Sequence, residues 1–303
     1  MSSIILQATG FLLIISVAYL LKQGGLFKQS DGHLLSKVIV NLTLPAAIIL
    51  GFNGVQVNSV FFYLILIGFL TNVVLVFFGG FIWKKKDPIQ QGFMMFGISG
   101  YNIGNFTLPF VQGFFSAAVP FLCMFDMGNA LMLSGGSTIL VEKMTGKSES
   151  KFSALQSLKR LFSSPPFTVY ILMFFLAIFH ITIPKTVLSY VHLFASGNAF
   201  LSMFMIGLYL EISIQKTDLK LVSKVLVTRY LLATVVACFF YFVLPFPLFI
   251  RKVLVLLAFA PIGSLSTISS IAFGCKASVA GFISSASIIL SLIIMTGILI
   301  VLL

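Results

Sequence analysis

Asn102, Asn105 and Thr107 lie in the stretch GISGYNIGNFTLPFVQG, residues 97–113, inside a run otherwise apolar enough to cross a membrane. Two carboxamides and a hydroxyl can hold a small anion by hydrogen bonds. The same stretch carries four glycines and Pro109, a poor recipe for a continuous helix. Gly and Pro weaken the helical ladder, and an unpaired backbone group in hydrocarbon is costly. Such a break persists only where protein buries it or a polar cavity meets it. In secondary transporters, interrupted helices are where substrates and coupling ions bind. The competing reading is that Gly and Asn serve only close helix packing.

Asp126, in MFDMGN, is the second chemical candidate. The other six acidic residues lie in connectors or at the ends of apolar runs. A carboxyl group at bilayer depth is costly and by default functional, so Asp126 is a candidate for proton coupling or ion coordination, with Asn129 beside it. The alternative is a structural hydrogen bond to Asn129 or to broken backbone. A third cluster follows Pro261 and Gly263: Ser264, Ser266, Thr267, Ser269 and Ser270. Ser264 and Thr267 can line a polar path, or their hydroxyls can bond their own helix backbone. No His cluster has metal-ligand spacing, and no nucleotide cradle or catalytic triad order is present. No metal or cofactor is expected.

Positioning these groups falls to a membrane architecture. Hydrophobic residues make up 59% of the chain and charged residues 9%, with mean hydropathy +1.13. A soluble domain needs roughly a quarter of its residues charged. The formal charge of +12 sits in short connectors, which excludes a phosphate-tracking surface, so no nucleic-acid partner is expected. Cys123, Cys238 and Cys275 are scattered and expected as free thiols.

Apolar runs long enough to span a bilayer are read at 4–21, 34–52, 60–82, 91–112, 118–141, 166–183, 187–212, 222–244, 253–273 and 278–303. The first lacks a basic n-region and is read as a retained span rather than a signal peptide. Sixteen of the nineteen Lys and Arg residues, Arg229 counted among them, fall in connectors after odd-numbered spans or their flanks; only Lys185, Arg251 and Lys252 fall on the other side. Basic residues concentrate on the cytoplasmic side. Both termini are therefore expected outside and the polar 142–165 loop inside. No Lys or Arg is placed near mid-span.

Five spans before that loop and five after it must run in opposite directions, the geometry of an inverted repeat. The domains expected are 1–141 and 166–303, one five-helix repeat each, joined by 142–165. Echoes agree: Asn41 to Pro45 with Gly51 in the second span, Asn198 to Ser202 with Gly207 in the seventh, and breaks at Tyr101–Pro109 and at Pro261 in the fourth and ninth. The fold expected is all-α: ten transmembrane helices in two inverted repeats, with broken helices four and nine crossing near the midplane. Half-helix N-termini there carry partial positive charge suited to an anion.

The segments NLTLPAAIILGFNG (41–54), GYNIGNFTLPFVQG (100–113), CMFDMGNAL (123–131), SMFMIGLYLEI (202–212) and LAFAPIGSLSTISSIAFG (257–274) resemble, in order and spacing, the auxin efflux carrier family. That family includes bacterial malate and malonate permeases and plant auxin exporters. The resemblance implies a scaffold of the first, second, sixth and seventh helices, dimerisation through the second and seventh, and a transport part built from the rest. It implies that Asn102 contacts the substrate carboxylate and that Asp126 belongs to a D-x-G-N element. Tyr101 stands where plant members have proline, so Gly100 and Gly104 are expected to shape the break.

The expected function is secondary transport of a small organic anion across the plasma membrane by alternating access, with proton coupling. The substrate-binding candidates are Asn102, Asn105, Thr107, Pro109, Asn41, Pro261, Gly263, Ser264 and Thr267; Asp126 and Asn129 are the coupling candidates. A sodium-coupled symporter of bile-acid-carrier architecture is the alternative within transport. An anion channel or a membrane-embedded enzyme is the alternative outside it.

Overall fold

Long runs of Leu, Ile, Val and Phe leave the backbone one solution in hydrocarbon, and that is helix. The computed structural model describes residues 2–147 and 154–302. Among these the chain is helical, and one isolated antiparallel bridge, Tyr101 to Ile262, is its only extended pairing.

Among the described residues, seven helices are long and apolar enough to cross a membrane: Ile5–Gln23, Asp31–Phe52, Ser59–Ile82, Ser116–Thr145, Lys185–Tyr209, Lys216–Phe242 and Ala277–Leu302. An eighth counts if Leu155–Phe162 and Pro165–Ile178, bent by 76° at their junction, form one span. Large side chains such as Leu13, Phe62, Val235 and Val301 stand exposed on these helices, the outside-in pattern of a surface facing lipid. This is the architecture of a multi-pass membrane protein.

Local chemistry sets several boundaries. The Asn58 side chain accepts from Val60 N, and Asp87 accepts from Ile89 N and Gln90 N ahead of Pro88. Each cap satisfies donors that the first turn leaves over. The run read as a span at 166–183 is shorter in the structure, because Pro165–Ile178 ends in extended chain before the next helix starts at Lys185. Of the 142–165 connector, residues 148–153 lie outside the described part, and Ala154–Phe162 is a basic-ended amphipathic helix.

Helix Ile5–Gln23 packs on Asn198–Tyr209, and Asp31–Phe52 packs on Pro165–Ile178 and Lys185–Ala195. The remaining helices pack chiefly on one another. The closest pair is Ser59–Ile82 against Val119–Leu131. A Cβ on Gly128 would fall 2.0 Å from the Ile65 carbonyl oxygen, and one on Gly68 would fall 2.1 Å from that of Phe125. Only glycine permits this backbone approach.

Helix interruptions are more numerous than the sequence reading held. The two expected ones lie between Pro88–Ile98 and Leu108–Phe114, and between Leu248–Ala258 and Ser264–Ala272. Among the described residues, a wide π-helical turn at Ile103–Thr107 lies within the first of these breaks, and two more occur at Ile39–Thr43 and Met132–Gly136.

Candidate functional site

The two expected breaks meet. Asn102 N donates to Pro261 O at 2.9 Å, and Gly263 N donates to Gly100 O at 3.4 Å. The interrupted chains thus pair their unwound backbones as a minimal two-stranded crossing. Gly100 adopts φ +72°, and a Cβ there would fall 2.1 Å from Ser266 Oγ. Gly100, as expected, shapes the turn.

Side chains from neighbouring helices satisfy the opened backbone, which burial obliges. Asn129 Nδ2 donates to Tyr101 O at 2.9 Å, and its Oδ1 accepts from Tyr101 N at 3.1 Å. Asn72 Oδ1 accepts from Gly100 N at 2.7 Å, while its Nδ2 donates to Asn129 Oδ1 at 3.2 Å. On the second break, Ile262 N donates to Ser287 Oγ at 3.1 Å.

Arg229 corrects the expectation that no basic residue lies near mid-span. It was counted with a cytoplasmic connector, but it is the middle residue of Lys216–Phe242 and is only 3% exposed. Its guanidinium donates to Gly97 O (3.1 Å), Ser99 O (3.4 Å), Gly100 O (3.0 Å) and Ala260 O (2.8 Å), and lies 5.4 Å from the Tyr101 ring centroid. A rigid fork of five donors suits this role. Among the described residues its hydrogen-bond partners are four carbonyls and no carboxylate.

Asp126 adjoins the crossing from the other side. Its Oδ1 accepts from Asn129 Nδ2 at 2.8 Å, and its Oδ2 accepts from Tyr170 Oη at 2.9 Å. Tyr170, on Pro165–Ile178, was not among the candidates. A Cβ on Gly104 would stand 4.0 Å from Asp126 Oδ2, which places the Gly104–Asn105 turn beside the carboxylate. Gly104, Asn105 and Asp126 are half-buried.

The remaining candidates divide. Asn102 is 6% exposed, and its Nδ2 donates to Ser264 Oγ at 3.4 Å. Ser264 is exposed, at the start of the second half-helix. Pro261 and Gly263 form the crossing itself. Thr107 Oγ1 donates to Asn102 O at 3.0 Å, buried, so it closes the π-helical turn. Pro109 is buried in the first turn of Leu108–Phe114. Thr267 Oγ1 bonds back to Gly263 O at 3.4 Å.

Asn41 is exposed and donates to Lys37 O at 2.8 Å, one turn back on its own helix. It is not brought to the crossing. Two residues on, about half a helical turn, buried Thr43 donates to Asn198 Oδ1 at 3.0 Å. The two N–H groups just after Pro261 are not free to meet an anion. Ile262 N and Gly263 N are taken by Ser287 and Gly100, so the first-turn donors left over belong to Ser264–Ala272 and to the turn after Asn102.

Sequence reasoning missed Arg229, Asn72, Tyr170 and Ser287. For Arg229 a signal existed: it lies thirteen residues into its helix after Lys216, ~20 Å along the axis. Asn72, in an otherwise apolar span, was a similar signal. No protein-family model matches this chain, and no curated protein matches it either.

Proposed function

We propose that the chain is a secondary transporter, not an enzyme, that carries a small organic anion, a carboxylate, across the plasma membrane by alternating access. The observation that carries this reading is the crossing of two interrupted helices by direct backbone pairing, Asn102 N to Pro261 O at 2.9 Å. Unwound chain at membrane depth is retained where it lines a binding site.

The reading includes ten spans in two inverted repeats. Pro88–Phe114 and Leu248–Ala272 count as broken fourth and ninth spans, and Pro165–Ile178 as a short sixth. Paired roles support it. Asn72 and Arg229 are each the fourteenth residue of Ser59–Ile82 and Lys216–Phe242, and each bonds backbone at the break that follows its own helix, Asn72 the Gly100 N–H and Arg229 the Ala260 carbonyl. Asn129 and Ser287, on the helices that close the two halves, each accept the N–H that follows the kink. With Arg229 removed from the loop tally, the remaining basic residues still favour one side, so both termini face outward and 142–165 inward.

The first, second, sixth and seventh helices serve as scaffold, and a homodimer forms through the second and seventh, as the resemblance to auxin efflux carriers implies. Asn102 and Asn105 hold the anion in this mechanism. The partial positive ends of the turns after Asn102 and Gly263 face it, and Arg229 supplies the fixed charge behind it. Asp126 links transport to a proton. Its Tyr170 partner lies on the scaffold, so loading the carboxyl biases the contact between the two parts.

Counterflow in proteoliposomes tests this. Labelled malate or malonate should exchange against unlabelled acid and accumulate on an imposed pH gradient. Accumulation driven by sodium instead would move the protein to the sodium-symporter reading. Flux without counterflow would make it a channel.

A further inference from the structure

Lys216–Phe242, Leu248–Ala258 and Ala277–Leu302 leave a cleft of about 700 Å³ between them, lined almost wholly by apolar side chains. That lies within the roughly 300–1,000 Å³ of small-molecule sites. Its inner end is formed by Tyr230 and Phe259, next to Ala260 of the crossing. Its outer end is formed by Tyr241 and Leu302. Tyr230 and Tyr241 are eleven residues apart on one helix, ~16 Å along its axis. That is about half of a ~30 Å hydrocarbon core, the depth of one leaflet.

Two cations stand at the outer end, and they are two of the three that break the basic asymmetry of the chain. Arg251 Nη1 donates to Tyr241 O at 2.8 Å, with the guanidinium 5.7 Å from the Tyr241 ring centroid. Its Nε is buried with no partner. Lys252 Nζ donates to Leu302 O. Neither pairs with a carboxylate among the described residues. A guanidinium and an ammonium, each tied by a carbonyl to a residue of the groove's rim and each with donors to spare, form an acceptor for phosphate.

We infer that this groove holds an acyl chain of an anionic glycerophospholipid, with the headgroup phosphate on Arg251 and Lys252. An apolar slot of single-leaflet depth fits the chain, and the charge at its mouth fits the phosphate. A zwitterionic lipid fits the slot equally but gains less at the mouth. The inference rests only on membrane insertion, so it stands or falls separately from the transport reading.

Native mass spectrometry of the delipidated protein tests it, with phosphatidylglycerol and phosphatidylcholine of equal chain length as probes. Wild type should retain phosphatidylglycerol preferentially. R251Q/K252Q should weaken phosphatidylglycerol retention about 30-fold, the scale set by two basic residues at an anionic surface. Gly297 lines the groove, and a Cβ there meets nothing within 4 Å. G297F therefore starts from an open position and directs its ring into the slot, and should lose the lipid while its thermal midpoint in detergent is unchanged. Equal retention of both lipids by wild type would overturn the inference, as would phosphatidylglycerol retention that neither variant alters.

Discussion

The Tyr170 hydroxyl donates to Asp126 Oδ2 at 2.9 Å, joining the Pro165–Ile178 helix to Val119–Leu131, the helix beside the first break. The other carboxyl oxygen accepts from Asn129, and Asn129 holds both the N–H and the carbonyl of Tyr101. One carboxyl group is thus two hydrogen bonds away from the first break and one away from the Pro165–Ile178 helix. A change in its charge alters both contacts together.

Replacing Asp126 by Asn keeps an acceptor for Tyr170 but removes the ionisable group. Uptake driven by a pH gradient should be abolished, while exchange of labelled for unlabelled acid persists. Accumulation equal to wild type would remove Asp126 from the coupling role.

Tyr170→Phe leaves Asp126 Oδ2 without its partner and keeps the ring packing. The loss should amount to about 1–3 kcal/mol, read as a lower thermal midpoint in detergent. An unchanged midpoint would mean that the hydroxyl contributes nothing to joining the two helix groups.

Arg229→Gln removes a charge and strands several of the four carbonyls it serves. Each stranded carbonyl costs about 1–3 kcal/mol, so transport should fall more than tenfold and thermal stability should drop. Arg229→Lys keeps the charge but not the fork, and should recover only part of both. Full activity in the Gln variant would show that the crossing stands without it.

Gly100→Ala places a methyl group against Ser266 Oγ in a left-handed conformation. Overpacking of this kind costs about 1–3 kcal/mol, and the conformation adds roughly 1–2 kcal/mol more. Folded yield should fall sharply. Gly10→Ala, where a Cβ meets nothing within 4 Å, should leave yield unchanged. Equal yields would contradict the close approach at Gly100.

Much of this arrangement is legible in the chain because hydrocarbon punishes unpaired backbone. The clusters at Gly97–Gly113 and Pro261–Ser264 mark interruptions no lipid-facing helix tolerates, and both are observed. The partners of those interruptions were harder to see. Asn72 and Tyr170 are among few polar residues in apolar runs, and nothing local says which way they point. Arg229 was misplaced because a loop-side count treats any cation near a span end as cytoplasmic, whereas its helix begins far enough upstream to bury it. Asn41 failed for the opposite reason. The helix surface turns it outward, and the buried contact goes to Thr43.

The saturation curve for malate or malonate counterflow, measured in proteoliposomes with wild type and Asn102→Ala, tests the central claim most directly. Asn102 touches Ser264 across the crossing and donates its backbone N–H to Pro261, so truncating its side chain removes a carboxamide from the proposed anion site but not the backbone pairing. The apparent KM should rise about tenfold or more, the loss of one hydrogen bond to a charged group, or uptake should vanish while the protein stays folded. A wild-type curve from the Ala variant would contradict anion binding at the crossed breaks.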